Sequence, residues 1–126
     1  MSWALAVVAI LAISACNRST SSPVQGDAES ASVTAVAESG DALFSRYCQR
    51  CHGPAATGSN FGPPLVHKIY EPGHHPDAAF YRAVQGGVRA HHWQFGNMPP
   101  VAGVGNAQVT EIIAYVRQLQ RNAGIN

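Results

Sequence analysis

Five consecutive residues constrain this chain more than anything else in it: Cys48-Gln49-Arg50-Cys51-His52. If the backbone is helical there, two thiols three positions apart and the imidazole after them leave the chain within a single turn. The domain around them is small. Residues 40–126 hold all four Phe, all four Tyr and all six His of the 126-residue chain, and the segment before them shows no sustained amphipathic pattern. A domain of that size buries a modest fraction of its surface and commonly needs a disulfide, a metal or a cofactor to hold it.

Cys-x-x-Cys-His is the attachment signature of c-type haem. The two thiols add across the two vinyl groups on one edge of a porphyrin, and the following imidazole reaches beneath the ring to the iron. Three other readings compete. A thioredoxin-like redox pair wants a βαβ context, which the pattern does not supply. A structural zinc site wants a second Cys/His pair, and the only other cysteine is Cys16. A plain disulfide leaves His52 without a role. One covalent haem c is therefore expected, held by Cys48, Cys51 and His52.

Further residues fit the same site. A neutral axial imidazole needs its other ring nitrogen held by an acceptor. Gly62-Pro63-Pro64-Leu65 can fold back to offer the Pro63 carbonyl, although the prolines can equally serve only to stiffen a loop. Met98 is the only methionine beyond Met1 and lies in Phe95-Gly96-Asn97-Met98-Pro99-Pro100, where two prolines disfavour helix. A thioether is a soft ligand that favours ferrous iron, so Met98 is expected as the sixth ligand rather than as a core filler. Trp93 is expected beside the haem or its propionates, with its indole N–H as a donor; ordinary core packing is the alternative. His67, His74, His75, His91 and His92 remain. Their two His-His pairs offer imidazoles for copper or zinc, and His91 or His92 offers a substitute for Met98. Solvated or backbone-capping histidines are commoner, and that role is the expectation.

The periodicity predicts helices over 40–48, 77–85 and 106–120. In the last, Val109, Ile112, Ile113, Val116 and Leu119 share one face, with Asn106 or Gly105 as N-cap. Pro76 suits the start of the second and Gly86-Gly87 its end. No stretch alternates as a strand, so the fold class is all-α. From Gly40 onward seven Lys or Arg stand against four Asp or Glu without clustering, which excludes a nucleic-acid binder.

Residues 3–15 form an apolar run that would span about 20 Å as a helix, short of the roughly 30 Å hydrocarbon core. It reads as the core of a signal peptide, residues 1–15. Ile13-Ser14-Ala15-Cys16 resembles the bacterial lipobox, which implies cleavage before Cys16 and a lipid on its sulfur. An ordinary cleaved signal or an uncleaved anchor are the alternatives, since no Lys or Arg precedes the apolar run. Residues 16–39 then read as a flexible tether with a reach near 25 Å, and 40–126 as the folded domain. Each reading puts that domain outside the cytoplasm, on the periplasmic side of a membrane.

From Gly40 to the C-terminus the chain resembles the small bacterial class I cytochromes c. The resemblance rests on Gly40-x-x-x-Phe44, Cys48-x-x-Cys51-His52-Gly53, Gly62-Pro63-Pro64-Leu65, Gly96-Asn97-Met98-Pro99-Pro100 and Tyr115-Val116-Arg117. It implies three to five short helices around one haem, with the first and last helices crossing where Gly40 and Phe44 meet Tyr115. It also implies a monomeric one-electron carrier with redox proteins as partners and no substrate turnover of its own. Alternatives are an electron-entry subunit of an oxidoreductase complex, a haem peroxidase or gas sensor with an open distal site, and a copper-handling assembly protein.

Overall fold

The computed structural model describes residues 38–126. The expectations for the signal segment, for lipid on Cys16 and for most of the tether lie outside the described residues. Four helices follow in chain order: α1 (Gly40–Tyr47), α2 (Gln49–His52), α3 (Asp77–Gly86) and α4 (Asn106–Asn122), with single 3-10 turns at Pro54–Ala56 and Lys68–Tyr70. Among the described residues, extended pairing is limited to one antiparallel bridge between Val88 and Met98. The fold is all-α. No described helix is long and apolar enough to cross a membrane.

α4 is the spine, and its sequence explains why. Val109, Ile112, Ile113 and Val116 recur at helical spacing and are all buried. The Gln108 side chain accepts from the Gly105 N–H at 2.9 Å, satisfying a donor that the first turn leaves free. The helix runs two residues beyond the expected end, to Asn122.

α1 packs on α4, and Leu43 and Phe44, each 1% exposed, join Ile112, Val116, Ala56 and Leu65 in one cluster. The crossing is close because of Gly40. A Cβ there would overlap the Glu111 carbonyl and approach Tyr115 Cβ to 3.0 Å. Phe44 and Tyr115 fill the space beside it, with ring centroids 5.5 Å apart in a tilted arrangement. The expected meeting of Gly40, Phe44 and Tyr115 is what the structure has.

α3 starts directly after Pro76 and ends at Gly87, whose φ of 74° reverses the chain. That reversal starts the segment leading to Met98. Val88 N–H donates to Met98 O and Met98 N–H donates to Val88 O, both at 2.9 Å, closing a loop whose neck is pinned again by Val101 N–H to Val84 O at 2.8 Å. Within the loop, the Asn97 side chain accepts from the Ala90 N–H at 3.0 Å.

One buried polar group ties these parts together. Arg117, 7% exposed, lies on the apolar side of α4. Its guanidinium donates to Asp77 Oδ1 (2.8 Å), to the Tyr70 carbonyl (2.6 Å), to Gln120 Oε1 (2.7 Å) and to the His75 carbonyl, and it lies 4.9 Å from the centroid of the Phe80 ring. Gln120, fully buried, donates to the carbonyls of Leu65 and Tyr70 at 2.8 and 3.0 Å. The irregular chain from Leu65 to Asp77 is thus fastened to α4 through its own carbonyls, which would otherwise be buried without donors.

Candidate cofactor-binding site

The expected first helix breaks at Cys48, where φ and ψ are −122° and −36°. A new turn begins there, with Cys51 N–H and His52 N–H both donating to the Cys48 carbonyl at 3.1 and 2.9 Å. Cys48, Cys51 and His52 therefore do leave one helical turn, but that turn is α2 and not the end of α1. The two cysteines are not disulfide-bonded. Cys48 is half-buried, and burial together with the neighbouring Cys51 sulfur pushes its thiol up to about 11, so it is neutral at physiological pH. Cys51 is exposed.

His52 is buried, and its Nδ1 lies 2.8 Å from the Pro63 carbonyl oxygen. A carbonyl can only accept, so Nδ1 carries the hydrogen and Nε2 presents a lone pair. Burial holds the imidazole below its usual pKa, partly offset by the Pro63 contact. The residue is thus kept neutral, in the tautomer an iron ligand requires. The segment between bends back to reach it: Gly58 N–H donates to the His52 carbonyl at 2.6 Å, and Ser59 Oγ donates to the Cys51 carbonyl at 2.6 Å. Ala55 and Ala56 take left-handed conformations, φ 49° and 58°, and the Ala56 carbonyl then accepts from both Leu65 and Val66.

Cys48, His52, Pro63, Trp93 and Met98 all line one cavity of about 650 Å³, whose floor is Leu65, Phe80, Val109, Ile112 and Ile113. Cys51 is not among its lining residues and sits on the outer side of the same turn. The volume is within the range of sites that enclose an organic cofactor, roughly 300–1,000 Å³. A largely apolar hollow in so small a domain needs an occupant.

The lining also contains an unpaired donor. Trp93 Nε1 is buried and makes no hydrogen bond. The Tyr70 hydroxyl is near it, yet burial dominates and raises that phenol's pKa despite the indole's opposing influence. A buried N–H at the wall of an apolar cavity calls for an acceptor carried by the occupant. The carboxylates of a haem meet that need, and the donor set of two thiols, one neutral imidazole and one thioether suits its vinyl groups and its iron.

The remaining histidines divide between the expected role and the alternative of imidazoles gathered for a metal. His67 Nδ1 accepts from the Ile69 N–H at 3.2 Å, and its ring meets Trp93 edge-on. His75 Nδ1 and His91 Nδ1 donate to the carbonyls of Ile69 and Arg89 at 2.6 and 2.8 Å. These are backbone-capping histidines, as anticipated. The folding also gathers His74, His75 and His92, from two separate loops, so that one ring nitrogen from each lies within 4.8 Å of the other two. The His92 pKa is lowered by partial desolvation and by the adjacent His91, His75 and His74 rings. Arg117 and Gln120 were missed. Their signal was available: both fall on the same stripe of α4 as Ile113 and Val116.

A family model for cytochrome c matches residues 37–120. No match was found among curated proteins or among solved structures. The match covers two-thirds of the chain and spans the Cys-x-x-Cys-His turn, the cavity and most of α4. It agrees with the helical fold and with a cavity suited to a covalently bound c-type haem: this chain belongs to the cytochrome c family.

Proposed function

We propose that this protein is a one-electron carrier working outside the cytoplasm, with its haem joined to Cys48 and Cys51 and its iron held between His52 Nε2 and Met98 Sδ. Bound haem supplies one-electron exchange between ferric and ferrous iron. The carrying observation is the His52–Pro63 hydrogen bond, 2.8 Å long, in a cavity that Met98 also lines. Burial keeps the imidazole neutral, and the Pro63 carbonyl keeps it correctly turned. The paired hydrogen bonds between Val88 and Met98 fix the backbone from which the thioether is offered. Leu65, Phe80, Ile112 and Ile113 would keep water from the site, and the unpaired Trp93 Nε1 would donate to a haem carboxylate. With His52 and Met98 both holding the iron, no position would be left for a substrate, which would separate this reading from a peroxidase or gas sensor. The apolar run before Cys16 and the Ser/Thr/Ala-rich stretch after it support a lipid-tethered domain on the periplasmic side of a membrane, exchanging electrons with redox proteins as a monomer.

Absorption spectra of purified protein, oxidised and reduced, test this directly. Colour should stay with the polypeptide through acid–acetone extraction, and the weak far-red band of sulfur bound to ferric iron should vanish in Met98→Ala, with a fall in reduction potential. A high-spin, five-coordinate ferric spectrum in the unaltered protein would refute His/Met ligation and favour an open distal site.

A further inference from the structure

We propose that His74, His75 and His92 form a three-imidazole site for a divalent cation of zinc's class, which clasps the loop carrying Met98 to the loop that Arg117 fastens. The spacing is the first argument. His74 Nε2 and His92 Nε2 are 3.3 Å apart. That is long for an N–H···N hydrogen bond. It equals the edge of a tetrahedron with metal–nitrogen bonds of 2.0–2.1 Å, about 3.3 Å, and exceeds the edge of about 2.8 Å that a square-planar ion would impose. One ring nitrogen from each of the three lies within 4.8 Å of the other two, so the widest gap between those atoms closes by at most about 1.5 Å to reach that tetrahedron. His74 and His92 are exposed and free to make that adjustment.

The second argument is orientation. His75 donates its Nδ1–H to the Ile69 carbonyl at 2.6 Å, leaving the Nε2 lone pair for a metal. This is the outer-shell arrangement that metal-binding histidines usually have. The His75 backbone is fixed on both sides, its N–H donating to the Glu71 carbonyl at 2.8 Å and its carbonyl accepting from Arg117. One ligand is thus preset and two can adapt.

The third argument is donor chemistry. The trio contains no carboxylate, which disfavours calcium and magnesium, and no thiolate; neutral imidazoles suit zinc and its neighbours. Three protein ligands leave a fourth position for water. All three line the same cavity, but none is among the residues proposed to hold the haem, and zinc binding is read out separately from haem attachment.

The test uses the purified haem-bearing protein, stripped of metal and titrated with zinc against a chromophoric chelator. One equivalent should bind, and X-ray absorption at the zinc edge should count three imidazoles. His74→Ala and His92→Ala should each weaken zinc at least thirtyfold. Saturating zinc should raise the denaturation midpoint of the parent protein and leave that of His74→Ala unmoved. His91→Gln should change the affinity less than threefold. An unaltered haem spectrum before zinc is added shows that each variant is folded with its cofactor. Absence of stoichiometric zinc, zinc affinity indifferent to His74 and His92, or zinc lost in His91→Gln would each overturn the assignment.

Discussion

Replacing Arg117 with Met keeps much of the side chain's length and removes its fork of donors. The guanidinium serves four acceptors, and they are not equal. Asp77 is 62% exposed at its side chain, so water replaces the lost partner at little cost, within the 0–1 kcal/mol usual for such pairs. Tyr70 O keeps its bond from Gln120. The His75 carbonyl and Gln120 Oε1 are the ones left without this donor. Each buried acceptor so orphaned costs about 1–3 kcal/mol, and the contact with Phe80 adds about 1. Part is recovered because a buried charge is no longer desolvated. The net expectation is a loss of about 3 kcal/mol, a fall of roughly 12–24 °C in Tm for a domain of this size. Guanidinium denaturation of the haem-bearing protein, followed by far-ultraviolet circular dichroism, measures it. Asp77→Asn should cost less than 1 kcal/mol, and Arg117→Lys should fall between, since an ammonium cannot reach divergent carbonyls as a planar fork does. If Arg117→Met costs under 1 kcal/mol, or Asp77→Asn costs as much as Arg117→Met, the idea that Arg117 acts by holding carbonyls is wrong.

Gly40→Ala raises helix propensity yet should destabilise by about 2 kcal/mol or more, because its Cβ has to displace the Glu111 backbone; denaturation curves decide between the two effects. Ala55→Gly should do the opposite and stabilise by about 0.5–1 kcal/mol, since Ala55 is exposed with φ 49°, where glycine carries no penalty; an unchanged or lower midpoint would contradict this. Acid should weaken the fold in a window set by His52. Its folded pKa lies below 6.5, so the unfolded chain takes up a proton that the native one refuses. That contribution is complete above about pH 6.5 and is lost as pH falls through the folded value. Asp41, lowered chiefly by the Ser39 side chain and then by the Ala42 backbone, adds a loss of the same sign below the usual carboxylate value of 3.8. Denaturation midpoints at pH 7.5 and pH 5 should differ in that direction, and a higher midpoint at pH 5 would refute the assignment.

Much of the scaffold was legible because its determinants are local. The apolar stripe of α4, the Pro76 entry and Gly87 exit of α3, and the Cys-x-x-Cys-His turn each announce themselves within one or two helical turns. The Pro63 carbonyl was legible for a related reason, being a short loop away from the ring it meets. What escaped notice depends on chain closure. Arg117 falls on the apolar stripe of α4, but what it holds is unknown until the carbonyls of Tyr70 and His75 are known to face it. His74 and His92 are adjacent only because the chain reverses at Gly87 and is drawn shut where Val88 meets Met98.

That last closure has a consequence for how such a protein can vary. The sulfur of Met98 is delivered from the neck of a loop rather than from its tip, with Val88 paired on one side and Val101 tied to Val84 on the other. Residues 89–97 are therefore a detachable appendage to the thioether's mounting. Apart from Trp93 in the cavity wall and His92, they can change character, altering what an approaching protein meets at the rim, while the sulfur stays where it is.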